Sequence, residues 1–142
     1  MNLYLDASAL VKLYVEEAGR AALLAAIEEA EVVGTAMIAY VEARAAFARR
    51  RREGALTRPG YLRCVRDLDR DWPRYLRFEL SEPVVIAAAR MTARHGLRAY
   101  DAVHLASALL MRDRLGDVLF ACWDGHLNAA ARRAGLALLG QA

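Results

Sequence analysis

The chain is 142 residues long, of which 57% are hydrophobic and 26% charged, so one compact domain over residues 1–142 with a real core is expected and global disorder is excluded. The net charge is only +3, but it is uneven: residues 1–42 hold seven acids and two bases, and residues 43–77 hold eleven arginines and four acids. No apolar run reaches membrane length, Met1–Asp6 has no basic n-region of a signal peptide, and two cysteines, Cys64 and Cys122, make neither a disulfide framework nor a zinc site, so free thiols in a cytoplasmic protein are expected.

In chain order, residues 2–5 read as a short buried strand ending in Asp6, and Ser8 as the cap of a helix running to about Glu17. Gly19 breaks that helix, and a second follows over roughly 20–30. Residues 31–35 read as a second strand. A long helix spans about Met37 to Glu53 and stops at Gly54. Thr57-Arg58-Pro59 opens another, with proline in its first turn, ending near Trp72-Pro73.

Tyr75 to Leu80 alternates as a third strand, and Ser81-Glu82-Pro83 opens a helix to about His95. Asp101 opens a further helix to about Leu115. Val118 to Trp123 is a fourth strand, Asp124 opens a helix to Ala134, and Leu136 to Leu139 is a last short strand. This alternation argues for an α/β fold with a mostly parallel sheet and helices on both faces. In such sheets a site lies beyond the carboxyl ends of the strands, at the topological switch point.

Four acids stand where patterning asks for apolar residues or a simple cap. Asp6 follows Leu3-Tyr4-Leu5, and Asp124 follows the apolar run Val118 to Trp123. Each also reads as a turn or cap, and so does Asp101. Glu42 lies early in a helix with little other charge and shares a face with Ile38, Ala45 and Ala46. A carboxylate there needs a partner or a metal, since burying it alone costs several kcal/mol (roughly); the other reading is an exposed Glu paired with Arg49 or Arg50. Asp6 and Asp124 fall on one sheet edge, Glu42 can point back to it, and Asp101 joins them if its helix faces that way. Carboxylates that cluster persist when a hard divalent cation holds them, and oxygen-only donors favour Mg²⁺ or Mn²⁺.

Tyr4-Leu5-Asp6-Ala7-Ser8-Ala9-Leu10-Val11-Lys12-Leu13-Tyr14 resembles the start of a PIN domain, and Tyr100-Asp101-Ala102-Val103-His104-Leu105-Ala106-Ser107-Ala108 resembles its third acidic motif. Glu42 and Asp124 match the remaining two acids, and order and spacing agree over nearly the whole chain. Length and composition are similar to VapC-type toxins of type II toxin–antitoxin systems. The resemblance implies a PIN-like three-layer α/β/α sandwich with four or five short strands. It implies a Mg²⁺- or Mn²⁺-dependent endoribonuclease leaving 5′-phosphate and 3′-hydroxyl ends, a homodimer, and a cognate VapB-type antitoxin. Asp6 and Asp101 would be the main metal ligands, Glu42 and Asp124 would complete the pocket, and Ser8 would hydrogen-bond within it. Many relatives carry Ser or Thr where this chain has Cys122, which puts a polar role there in doubt.

Arg49, Arg50, Arg51 and Arg52 follow Glu42 on the same helix, about 10–15 Å along it, a distance suited to phosphates flanking a cut site. They read equally as a solvated helix end favoured by the dipole. His104 reads as a packing residue, His126 as a possible neighbour of the pocket, and His95 as a helix-end residue. Two rival readings are a non-catalytic PIN-fold RNA-binding module, against which the four acids argue, and a phosphatase of the haloacid dehalogenase type. The latter needs an acid two positions after its nucleophilic Asp, where this chain has Ser8.

Overall fold

The computed structural model describes residues 1–140. Its elements are β1 (Asn2–Leu5), α1 (Ala7–Lys12), α2 (Arg20–Glu29), β2 (Val33–Ala36), α3 (Ile38–Arg52) and α4 (Arg58–Asp71). A 3-10 turn, Trp72–Arg74, leads to β3 (Leu76–Phe78), α5 (Glu82–His95), α6 (Ala99–Leu115), β4 (Val118–Ala121), α7 (Gly125–Arg133) and β5 (Ala137–Leu138). All five strands are parallel, in the order β3-β2-β1-β4-β5. The α/β fold expected from the alternation is therefore present.

Period-2 alternation along the central strands sorts side chains to the two faces. Leu3 and Leu5 of β1 and Ala121 of β4 pack with α1–α4, around Leu10, Leu23, Phe47 and Leu68. Tyr4, Val118 and Phe120 pack with α5–α7, around Leu105, Met111 and Leu127. The result is three layers with one core on each side of the sheet. Gly34 in β2 permits a close helix approach, because a Cβ there would stand 2.7 Å from Met111 Sδ of α6.

The chain steps outward from β1 to β2 and β3, then crosses back so that β4 pairs with the other side of β1. Leu5 is opposite Ala121, and the Asp6 amide donates to the Ala121 carbonyl at 3.2 Å. The switch point thus lies between β1 and β4, with Asp6 and Asp124 just beyond their ends.

Several boundaries differ from the sequence expectation. Asp6, not Ser8, caps the first helix, accepting from the Ala9 amide at 2.9 Å. That helix ends at Lys12 rather than Glu17. Lys12 is buried, held by Glu17 at 3.0 Å and the Ala18 carbonyl at 2.7 Å, with the Trp123 ring beneath it at 4.8 Å. These contacts fold residues 13–18 back over the helix end. The sixth helix begins at Ala99, so Asp101 sits in its first turn rather than opening it.

Candidate active site

Asp6 and Asp124 lie beyond the ends of adjacent strands, Asp101 meets Asp124 through Arg98, and Glu42 reaches His104 from α3, so each acid is anchored differently. Asp6 is 4% exposed. Its Oδ1 accepts from the Ser8 hydroxyl at 2.7 Å and from the Ala9 amide at 2.9 Å. Burial raises its pKa despite these donors, a nearby His104 and the Cys122 thiol. Ser8 Oγ in turn accepts from the Trp123 amide at 3.0 Å, which ties the start of α1 to the end of β4.

Asp124 caps α7, accepting from the Leu127 amide at 3.0 Å. Cys122 contributes more than the sequence promised. Its sulfur accepts from the Asp124 amide at 3.2 Å. Burial, with Asp6 close by, pushes the thiol pKa far up, so it stays neutral at this acidic edge. Sulfur here still fixes the backbone that carries Asp124.

Asp101 and Asp124 share one cation. The Arg98 guanidinium stands 3.3 Å from Asp101 Oδ2 and 3.5 Å from Asp124 Oδ2. The Asp101 side chain is only 17% exposed, whereas that of Arg98 is 81% exposed, so Arg98 spans the two acids from the solvent side. Sequence reasoning missed Arg98; its one available signal was a basic residue three before Asp101, one turn away on a helix.

Glu42 projects from α3 toward α6. The core stripe of α3 is Ala39, Ala43 and Phe47, so the face through Ile38, Ala45 and Ala46 is not the buried one. Glu42 is beside that stripe, half-buried, and pairs with neither Arg49 nor Arg50. Its Oε1 lies 2.7 Å from His104 Nε2, and His104 Nδ1 lies 2.8 Å from the Tyr4 hydroxyl. His104 is therefore more than a packing residue. Burial lifts the Tyr4 pKa well above the usual phenol value, and the Asp6 and Glu42 carboxylates add to this. His126 turns away, bonding the Gly96 carbonyl at 3.0 Å.

The donor set is chemically suited to a hard divalent cation. It is all carboxylate at the pocket, the mouth already attracts a cationic guanidinium, and the buried Asp6 has only uncharged donors on its oxygens. Among the described residues no three His, Cys, Asp or Glu side chains close on a single point. Asp6 is turned onto its own helix, Glu42 onto His104, and Asp101 and Asp124 onto Arg98, which accounts for the spread.

The arginine run is split by its neighbours. Arg50 pairs with Glu17, and the Arg51 guanidinium lies 5.5 Å over the Tyr61 ring. Arg49 and Arg52 are exposed. Both cysteines are free and buried. Among the described residues no helix is long and apolar enough to cross a membrane.

Comparison with known proteins agrees with this architecture. The family model described as "PIN domain" matches residues 3–115. Ribonuclease VapC45 and Ribonuclease VapC49 of Mycobacterium tuberculosis strains are each 36% identical over 132 residues, covering 93% of this chain and 90% of theirs. Among solved structures, VapBC2 from Rickettsia felis, bound to a promoter DNA fragment, matches with a TM-score of 0.68 at 11% identity over 100% of both chains. FitAcB from Neisseria gonorrhoeae matches with 0.67 at 19% identity over 96% of both. The two solved structures support the fold, while the family model and the mycobacterial sequences settle the lineage: the chain belongs to the PIN domain family, in its VapC-type group.

Proposed function

We propose that this protein is a Mg²⁺- or Mn²⁺-dependent endoribonuclease, the toxin of a VapBC-type pair, acting in the cytoplasm. What supports the reading is that Asp6 and Asp124 lie just beyond the adjacent ends of β1 and β4, and that Asp101 is joined to Asp124 through Arg98. The two mycobacterial relatives carry the name ribonuclease, and the solved neighbours include toxin–antitoxin complexes.

In this reading Asp6, Asp101, Glu42 and Asp124 hold the metal, directly or through water. When bound, the metal supplies a Lewis acid that activates water and stabilises charge on the phosphoryl group and the leaving 3′ oxygen. The chain's own groups do the rest. Ser8 keeps the Asp6 carboxylate in one rotamer by donating to Oδ1, while the Trp123 amide fixes Ser8. The α7 amide at Leu127 and the Cys122 sulfur set Asp124. A carboxylate of the set, Glu42 or Asp124, orients the attacking water. Arg98 has an exposed guanidinium at the mouth and is placed to meet a phosphate once the acids are neutralised. Exposed Arg49 and Arg52 contact flanking phosphates.

A cognate VapB-type antitoxin and a homodimeric state belong to the same proposal. The product ends test the mechanism. Hydrolysis by activated water leaves a 5′-phosphate and a 3′-hydroxyl, so cleavage in H₂¹⁸O places the heavy oxygen in the 5′-phosphate. A 2′,3′-cyclic phosphate would instead mean attack by the ribose hydroxyl and would remove the proposed role of these acids.

A further inference from the structure

We propose that His104 is a positioning residue, holding the Glu42 carboxylate at the acidic pocket through a buried Tyr4–His104–Glu42 hydrogen-bond chain. The inference rests on the ribonuclease reading above and assigns His104 a role within that same site. The chain joins three elements that are remote in sequence: Tyr4 is 100 residues from His104, and Glu42 is 62. It links β1 at the sheet centre to α6 and to α3. Tyr4 is 0% and His104 1% exposed, so water does not compete for the bond between them, while the Glu42 side chain at the outer end is 22% exposed.

One tautomer of the imidazole satisfies both ends of the chain: the Nε2 proton is donated to a Glu42 Oε1 acceptor. Nδ1 is then bare and accepts from the Tyr4 hydroxyl, a phenol that keeps its proton at neutral pH. The phenol is itself immobilised. Its ring stacks on Phe120 at 5.7 Å and 6°, and it meets the His104 ring edge-on at 5.9 Å and 72°. A buried imidazole held at both nitrogens has one orientation, and so does the carboxylate oxygen bonded to it. Among the described residues only Oε1 of Glu42 is hydrogen-bonded.

The placement on α6 supports the assignment. His104 follows Asp101 by three residues and lies one turn deeper on the same face. One helix thus presents an acid at the pocket and orients a second acid from α3. A residue needed only for packing would be apolar here, since burying an imidazole without partners is costly.

The test compares the wild type with His104→Gln, His104→Asn, His104→Leu and Tyr4→Phe. The readouts are kcat and KM on RNA, Mn²⁺ affinity measured with the metal alone by electron paramagnetic resonance, and thermal unfolding. Glutamine places an N–H near the Nε2 position, whereas asparagine reaches only the Nδ1 position. His104→Leu and His104→Asn should lower kcat and weaken Mn²⁺ binding by roughly 10- to 100-fold, with KM for RNA within about twofold. His104→Gln should recover most of both, and Tyr4→Phe should move both in the same direction by less. A folded His104→Leu with wild-type kcat and Mn²⁺ affinity overturns the proposal. If the leucine variant does not fold, equal behaviour of the Gln and Asn variants overturns it instead. Wild-type protein that binds Mn²⁺ but cuts no RNA overturns the ribonuclease reading, while the Mn²⁺ comparison still decides the role of His104.

Discussion

Replacing Asp6 by asparagine should inactivate the protein and, without metal, stabilise it. Asp6 is buried, its Oδ1 takes two hydrogen bonds, and the desolvation cost outweighs them, so its pKa is raised in the folded state. An unfolded Asp titrates near 3.9. The folded state therefore binds the proton more tightly than the unfolded one. Metal-free stability is highest below about pH 4 and falls as pH rises through the raised folded-state value, the opposite of a salt-bridged carboxylate. Asparagine keeps a carbonyl oxygen for the Ser8 and Ala9 donors and carries no charge. Each tenfold difference in proton affinity corresponds to ~1.4 kcal/mol. The opposing donors reduce the net gain to about 1–2 kcal/mol, the usual scale for relieving a functional-site cost. For a domain of this size that is a rise in Tm of roughly 3–7 °C. Thermal unfolding in EDTA from about pH 4 upward measures it. The wild type should lose Tm with rising pH more steeply than the variant, and Mn²⁺ should stabilise only the wild type. A variant with a lower Tm than the wild type at neutral pH in EDTA would refute the reasoning, because the Asp6 charge would then be stabilising the fold.

Arg98→Gln removes the guanidinium shared by Asp101 and Asp124. Two ion pairs at ~0.2–1 kcal/mol each predict Mn²⁺ binding about 2- to 30-fold tighter by calorimetric titration; weaker binding would show that Arg98 does not compete with the cation. The double variant Arg49→Gln/Arg52→Gln should raise KM for RNA and flatten its logarithmic salt dependence by about 1–2, and an unchanged slope would assign these exposed arginines to solvent. Gly34→Ala drives a methyl into Met111 and should cost about 1–3 kcal/mol, read as a lower denaturant midpoint with the same slope; a neutral variant would mean that Met111 moves aside freely.

Where bonds are local, the sequence was a good guide. Strand ends, proline and glycine stops and the β/α alternation predicted a parallel sheet, and Asp6 and Asp124 reached its carboxyl edge because they directly follow adjacent strands. The cap of α1 was misread because Asp6 and Ser8 are both good caps, and the Ser8 hydroxyl is spent on Asp6 and the Trp123 amide. Glu42 was singled out for a face that is not the buried one, since α3 packs through Ala39, Ala43 and Phe47. Contacts across the fold were not legible: His104 looks like an ordinary interior histidine until Tyr4 and Glu42 are brought to it from 100 and 62 residues away. Likewise, four consecutive arginines look equivalent in sequence, yet Glu17 takes one and Tyr61 another.

The most direct test of the central claim is cleavage of total cellular RNA by the purified chain in Mg²⁺, in Mn²⁺ and in EDTA, beside Asp101→Asn. The account predicts discrete fragments with either metal, and none with EDTA or with the folded variant. Cleavage that persists in EDTA, or that survives Asp101→Asn undiminished, would contradict it.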